Sequence, residues 1–155
     1  MKAIVRQATY QDCLSLAPRL RASDVAELAA IGETPLPALL DSIRASTVVW
    51  AVDYDGEVQA MLGAAPIADS AGEGSPWLLA SARVGEFSTQ FLRESDLYID
   101  QMHAHFPTLR NYVHAANTSS LMWLRWCGFK FPRVVCVSPT DLFIEFEKTS
   151  PCATH

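Results

Sequence analysis

Leu109 to Phe129 reads LRNYVHAANTSSLMWLRWCGF, and the fold turns on how this stretch is read. It opens as an apolar, β-prone run with Tyr112, Val113 and Ala115, passes through Asn117-Thr118-Ser119, and continues as an amphipathic helix closed by Gly128-Phe129. A strand that delivers its C-terminal end into a helix N-terminus gathers free backbone N–H groups and the positive end of the helix dipole. In α/β proteins that junction commonly holds an anionic or polar ligand.

Working outward, the segment before it carries Phe91, Ser95, Tyr98, Met102 and Phe106 at the 3.6 period, with Ser88 as expected cap and Pro107 as stop. Before that helix, Trp77 to Ala82 (WLLASA) is apolar enough for a central strand, preceded by Ala68 to Pro76 (ADSAGEGSP) as a flexible connection. TVVWAVDYDGEVQAMLGAAPI, from Thr47, reads as two strands joined at Asp55-Gly56, a two-residue hairpin signal. Upstream, Lys2 to Ala8 reads as a first strand. Thr9 and Asp12 then open a helix with Cys13, Leu16, Ala17 and Leu20 on its buried face. Ser23-Asp24 restarts a helical piece ended by Gly32, and Thr34-Pro35 begins another carrying Leu36, Leu39, Leu40 and Ile43. Downstream come strands at Phe131 to Val137 and Leu142 to Phe146. The expectation is one domain over 1–148 with a frayed tail over 149–155.

Composition narrows the function classes. A chain of 155 residues, half of them hydrophobic, is ordinary globular material with one real core. Seventeen acidic against twelve basic residues give a net charge of −5, and no Lys/Arg cluster supplies a nucleic-acid footprint. No run reaches the length of a membrane span, and MKAIVRQATYQDC has no signal-peptide h-region, so a soluble, cytoplasmic protein is expected. Cys13, Cys127, Cys136 and Cys152 lack zinc-ligand spacing and read as free thiols, Cys152 the most reactive by exposure. His103 and His105 fall on different helix faces, so no metal is expected; His155 lies in the tail.

The element order, with the strand–Asn–helix–Gly-Phe segment, resembles the GNAT (Gcn5-related N-acetyltransferase) superfamily. PWLLAS (Pro76–Ser81), FLRES (Phe91–Ser95) and NYVHAANTSSLMWLRWCGF (Asn111–Phe129) are similar to a GNAT-like family of tailed bacteriophages. Members of that family are described as internal virion proteins or as acyltransferases. The resemblance implies an α/β (α+β) fold: a mixed, mostly antiparallel sheet with helices on both faces and strands 4 and 5 splayed. It implies acetyl-CoA or another acyl-CoA in that splay. The pantetheine arm would lie on the backbone of Leu79, Ala80, Ser81 and Arg83, and the pyrophosphate on N–H groups around Gly85, Ser88 and Thr89. Asn117 would face the cofactor arm.

The loop Arg83-Val84-Gly85-Glu86-Phe87-Ser88 departs from the superfamily's glycine-rich pyrophosphate motif, and Glu86 sets a like charge near the phosphates. Leu124 stands where many members carry a tyrosine general acid, and Trp77 to Ser81 contains no glutamate base.

Candidate proton-handling groups are therefore sought elsewhere. Asp24 and Glu27, i and i+3 on a helical piece, either bind or deprotonate a cationic amine or form a solvated acidic face with Arg21. His114 either relays a proton or is a strand histidine with one face in solvent. Ser120 is a first-turn helix residue with a hydroxyl for a ligand. Trp123 and Trp126 are divided between core and a partner-facing ridge, with at least one of the four tryptophans expected at the surface. Two functions follow: an N-acyltransferase acting on an amine of a small molecule or protein, as a monomer or homodimer, or a scaffold without catalysis that binds a virion or host protein.

Overall fold

The computed structural model describes residues 1–151; Cys152 and His155 lie outside the described residues. In chain order the elements are β1 (Ile4–Gln7), α1 (Tyr10–Leu16), α2 (Ala22–Ala30), α3 (Pro35–Ala45), β2 (Val48–Tyr54), β3 (Glu57–Pro66), β4 (Glu73–Ala80), α4 (Ser88–His103), β5 (Thr108–His114), α5 (Thr118–Trp126), β6 (Val134–Ser138) and β7 (Asp141–Thr149). Short 3₁₀ turns at Ala17–Arg19 and Ala82–Phe87 follow α1 and precede α4.

The local chemistry follows the residues. Thr9 is the N-cap of α1, and the Asp12 carboxylate reaches back 2.8 Å to accept its N–H. Asp55 and Gly56 both take positive φ, +57° and +76°, the paired left-handed conformation that a two-residue hairpin between β2 and β3 requires.

Seven strands form one sheet in the order β1-β2-β3-β4-β5-β7-β6. Every neighbouring pair is antiparallel except β4 and β5, which run parallel. That pairing covers only Glu73 with Thr108 and Gly74 with Leu109, after which the two strands part. Gly74 is required at the hinge, because a Cβ there would lie 2.4 Å from the Phe106 ring.

Alternation within β3 divides the core in two. Leu62 joins Ile99, Met102, Leu109 and Trp123 under α4 and α5. Met61 joins Cys13, Leu16, Leu39 and Leu79 under α1 to α3. Each fully buried Leu or Met stabilises the fold by about 1.5–3 kcal/mol relative to exposure.

Four boundaries differ from the sequence reading. β4 begins at Glu73, inside the stretch expected to be a flexible connection. Pro76 is tolerated there because its missing N–H lies on an edge that β5 has already left. Ser88 does not cap α4: Phe87 holds the cap position, and the Ser88 hydroxyl donates to the Gly85 carbonyl at 3.2 Å. β6 starts later, at Val134. β7 runs through Thr149, and the Ser150 N–H donates to the Pro107 carbonyl at 2.7 Å, so the chain is still ordered into the segment expected to fray. No helix among the described residues is long and apolar enough to cross a membrane.

Candidate functional site

The parting of β4 from β5 exposes one edge of β4. Ser81 N–H donates to Gln59 O on the β3 side, so strand parity turns the C=O of Pro76, which has no N–H, and the N–H and C=O groups of Leu78 and Ala80 towards the gap. Two of these three positions are already occupied. The Pro76 carbonyl accepts the Asn111 side-chain amide at 2.8 Å. Ala80 is held from both sides: its N–H donates to Asp24 Oδ2 at 2.9 Å and its C=O accepts the Arg21 N–H at 2.8 Å. A bridge between Leu20 and Ser81 makes this short segment a makeshift strand in place of β5. Leu78 is left with an N–H and a C=O facing the gap and no hydrogen-bond partner among the described residues.

At the head of the gap a buried network ties α2 to α5. Asp24 is fully buried and takes, besides Ala80, the Arg21 Nε at 2.8 Å and Asn117 Nδ2 at 3.2 Å. Asn117, 1% exposed, caps α5 through Oδ1 on the Ser120 N–H. Arg21 reaches on to the Ser120 hydroxyl at 3.0 Å. Asp24 is therefore neither a solvated surface acid nor a free base; it is a fully bonded anchor. Asn117 likewise spends its amide inside the protein rather than presenting it to a cofactor arm.

Glu27 has the environment of a working acid or base. It lines the cavity of about 70 Å³ left in the gap, with Leu78, Ser120, Trp123 and Leu124 among its neighbours. Desolvation raises its pKa above the ordinary glutamate value. The His114 N–H, donated at 2.6 Å, offsets part of this, and the nearby Asp24 charge adds to the rise. A carboxyl with a raised pKa, in a cleft and beside a specific charge, is what acid–base work selects for.

His114 contributes its backbone rather than its ring. Nε2 lies 2.8 Å from Asp141 Oδ1, and Nδ1 accepts the Ala116 N–H at 3.1 Å. With Nε2 committed to β7, Nδ1 to the turn after β5, and the ring absent from the cavity lining, it is badly placed as a relay for this cavity. The Asp141 carboxyl is held below its usual range chiefly by the His114 hydrogen bond.

Leu78 and Trp123 also line a second hollow of about 360 Å³, whose other walls include Arg21, Val84, Gly85, Ser88, Phe91, Met122 and Trp126. It runs from the gap to the N-terminus of α4, where the first turn carries no acidic residue. Gly85 and Ser88 both line this hollow, while Thr89 lies outside the lining. Arg83 and Glu86 turn away: Arg83 binds Glu86 at 2.8 Å and Asp55 at 3.2 Å, and stacks over Tyr54. The Glu86 charge is thereby matched locally instead of facing the groove. Leu79 packs into the α1–α3 core, and Ser81 bonds Gln59, so neither opens to the gap through its side chain.

Three participants had no clear sequence signal. Asn111 and Tyr112 appear as ordinary strand residues, and Arg21 as a surface partner of the acidic pair. Only the divergence of two strands, a tertiary event, turns them into lining. Leu124, at the position where the resemblance implies a tyrosine, is 2% exposed and borders the cavity with hydrocarbon. Among the described residues no three His, Cys, Asp or Glu side chains gather as a metal site.

No protein-family profile matches the chain, and no curated protein matches its sequence. Solved structures do. A GCN5-related N-acetyltransferase from Kribbella flavida superposes with a TM-score of 0.70 at 18% identity, over 96% of this chain and 98% of that one. Ard1 from Thermoplasma volcanium gives 0.70 at 14% identity, over 96% and 98%. The ribosomal-protein-S18-alanine N-acetyltransferase from Escherichia coli gives 0.68 at 13% identity, over 96% and 94%. At these identities the likeness is one of fold: the chain has the GNAT fold, with its parallel, splayed β4–β5 pair.

Proposed function

We propose that the protein is an N-acyltransferase that moves an acyl group from an acyl-CoA, acetyl-CoA in the first instance, to a primary amine. The observation that carries this reading is Glu27. Its carboxyl sits in the splay, with a raised pKa, beside the one open backbone edge on β4. The fold is compatible but does not by itself decide activity.

The residues present fit an acyl-CoA at one end and constrain it at the other. The groove between α4 and α5 would hold the anionic end, with the α4 N-terminus, Gly85 and Ser88 on one wall and Arg21 at its head. Negative charge at a helix N-terminus gains about 0.3–1 kcal/mol. Along β4 only Leu78 offers backbone groups, since Ala80 is taken. The donor would supply a thioester carbonyl. Leu78 N–H is the donor left on this edge to polarise an acyl oxygen. Glu27 accepts the proton that an ammonium must lose before its nitrogen can attack. In the transfer a C–N bond forms, the C–S bond breaks, the sulfur leaves as thiolate, and the acylated nitrogen gives up its remaining extra proton to water. With Leu124 carrying no hydroxyl, that thiolate is protonated by water or by the protonated Glu27. Holding the two reactants together supplies much of the remaining acceleration.

A second reading has its own observation. Asp24 and Arg21 cover the part of the β4 edge expected to hold the pantetheine arm, as they would in a scaffold retained for binding a partner. The comparisons with solved structures link the fold to acetyltransferases and lend no support to a virion or host-protein role. Calorimetric titration with acetyl-CoA, followed by thiol release with an amine panel, separates the two. Saturable binding and amine-dependent release support the enzyme. No binding at millimolar acetyl-CoA supports the scaffold.

A further inference from the structure

Asn111 and Tyr112, which line the splay cavity, also line a third hollow. This groove encloses about 300 Å³, and its remaining walls are Ile31, Val135, Val137 and Phe143. Sheet register explains its composition. His114 and Val135 both pair with Phe143, and Tyr112 lies two residues from His114, so Tyr112, Val135 and Phe143 share one face. The α1–α3 layer packs mainly against β3 and β4; from α2, Glu27 reaches the His114 N–H of β5, and Ile31, just past α2, borders the groove.

Two features define what would fit. Ile31 and Val137 are about half exposed, 50% and 48%, so the groove presents large aliphatic side chains to solvent beside a functional cavity. Its polar side-chain groups are already engaged. The Tyr112 hydroxyl donates to Glu145 Oε2 at 3.0 Å, Arg133 pairs with the same carboxylate at 2.9 Å, and Asn111 donates to Pro76 O. No unpaired carboxylate lines this groove for a second ammonium, whereas Glu27 stands in the adjoining cavity for a first. A volume of about 300 Å³ is at the bottom of the small-molecule range, roughly 300–1,000 Å³.

We infer that the groove is an acceptor subsite for a small primary monoamine bearing one branched-alkyl or aryl group. The hydrocarbon lies between Ile31 and Val137, and the amine reaches the splay beside Glu27. The assignment of this ligand as an acceptor rests on the acyl-transfer reading; its occupancy of the groove does not.

The test is calorimetric binding of phenethylamine and of putrescine to the intact chain, alongside acetyl transfer to both. Ile31→Asn and Val137→Asn are the variants, both at half-exposed positions where a polar side chain can meet solvent. Phenethylamine binds at least 10-fold more tightly than putrescine, and either substitution removes at least 10-fold of that preference. Equal binding, no phenethylamine binding, or indifference to both substitutions overturns the subsite. If phenethylamine binds with this dependence yet neither amine is acetylated, the subsite stands and the acyl-transfer reading falls. If both amines are acetylated equally, acyl transfer stands and the subsite falls.

Discussion

The Asp24 carboxylate accepts the backbone N–H of Ala80 at 2.9 Å, and so a side chain from α2 closes the strand edge that β5 leaves open. Asp24 belongs to the frame of the site, and Glu27, one helical turn further on, is the group we propose for its chemistry. The two acids differ because one has three donors and the other faces a cavity.

Removing Asp24 leaves the Arg21 guanidinium, whose side chain is only 12% exposed, without its carboxylate. Asp24→Ala is expected to cost roughly 3–5 kcal/mol, the range for breaking a buried pair. Asp24→Asn, which keeps an acceptor for Ala80, should cost less. Urea unfolding of the two variants measures the difference, and a cost below about 1 kcal/mol for Asp24→Ala would remove the anchor role.

Glu27→Gln separates activity from stability. The folded carboxyl has a raised pKa, so above the ordinary value of 4.5 the folded state holds a proton that the unfolded state has lost. Stability therefore falls as pH rises through the window between that value and the folded one. Glutamine removes this slope, so the variant loses less stability than the wild type from about pH 4.5 upward. Acetyl transfer should fall by about 10²–10⁴-fold, the usual share of a positioned acid or base. Thermal melts across pH, paired with rates, read both effects.

Asp12 titrates the opposite way. Burial alone would raise its pKa, but hydrogen bonds from Arg6 and Thr9 outweigh that and hold it below 3.8. Its contribution is present above that value and lost as pH falls through the lower folded one. Asp12→Asn should cost about 1–3 kcal/mol at neutral pH and progressively less under acid. A cost unchanged between pH 7 and pH 2, read by denaturant melts, contradicts this.

Thiol chemistry follows burial. Desolvation pushes the Cys127 thiol up to about 11 and raises that of Cys13, while Cys136 is exposed. Iodoacetamide at neutral pH, read by mass spectrometry of native protein, should label Cys136 and spare Cys13 and Cys127 until denaturant is added.

Much of the fold is legible in the sequence because local chemistry carries it. Asp55-Gly56 dictates a hairpin, Thr34-Pro35 a helix start, and the 3.6 period of α4 its buried face. The splay is not local. Nothing in GSPW announces that β5 will leave β4 after Gly74, or that Leu20-Arg21 will take its place against Ala80 and Ser81. The same gap explains the uneven reading of the site. Glu27 and Ser120 line the splay cavity, and Gly85 and Ser88 line the hollow beside the α4 N-terminus. Asp24, Asn117 and the His114 ring turn into hydrogen bonds that depend on partners 27 to 93 residues away.

The most direct test of the central claim is acetyl transfer by the wild type and Glu27→Gln with saturating acetyl-CoA and phenethylamine, read as free CoA thiol. The wild type should show amine-dependent release that rises with pH as Glu27 ionises, and a Glu27→Gln variant that still binds acetyl-CoA should lose at least 100-fold of it. Release at equal rates from both proteins, or none from a wild type that fails to bind millimolar acetyl-CoA, would contradict the claim.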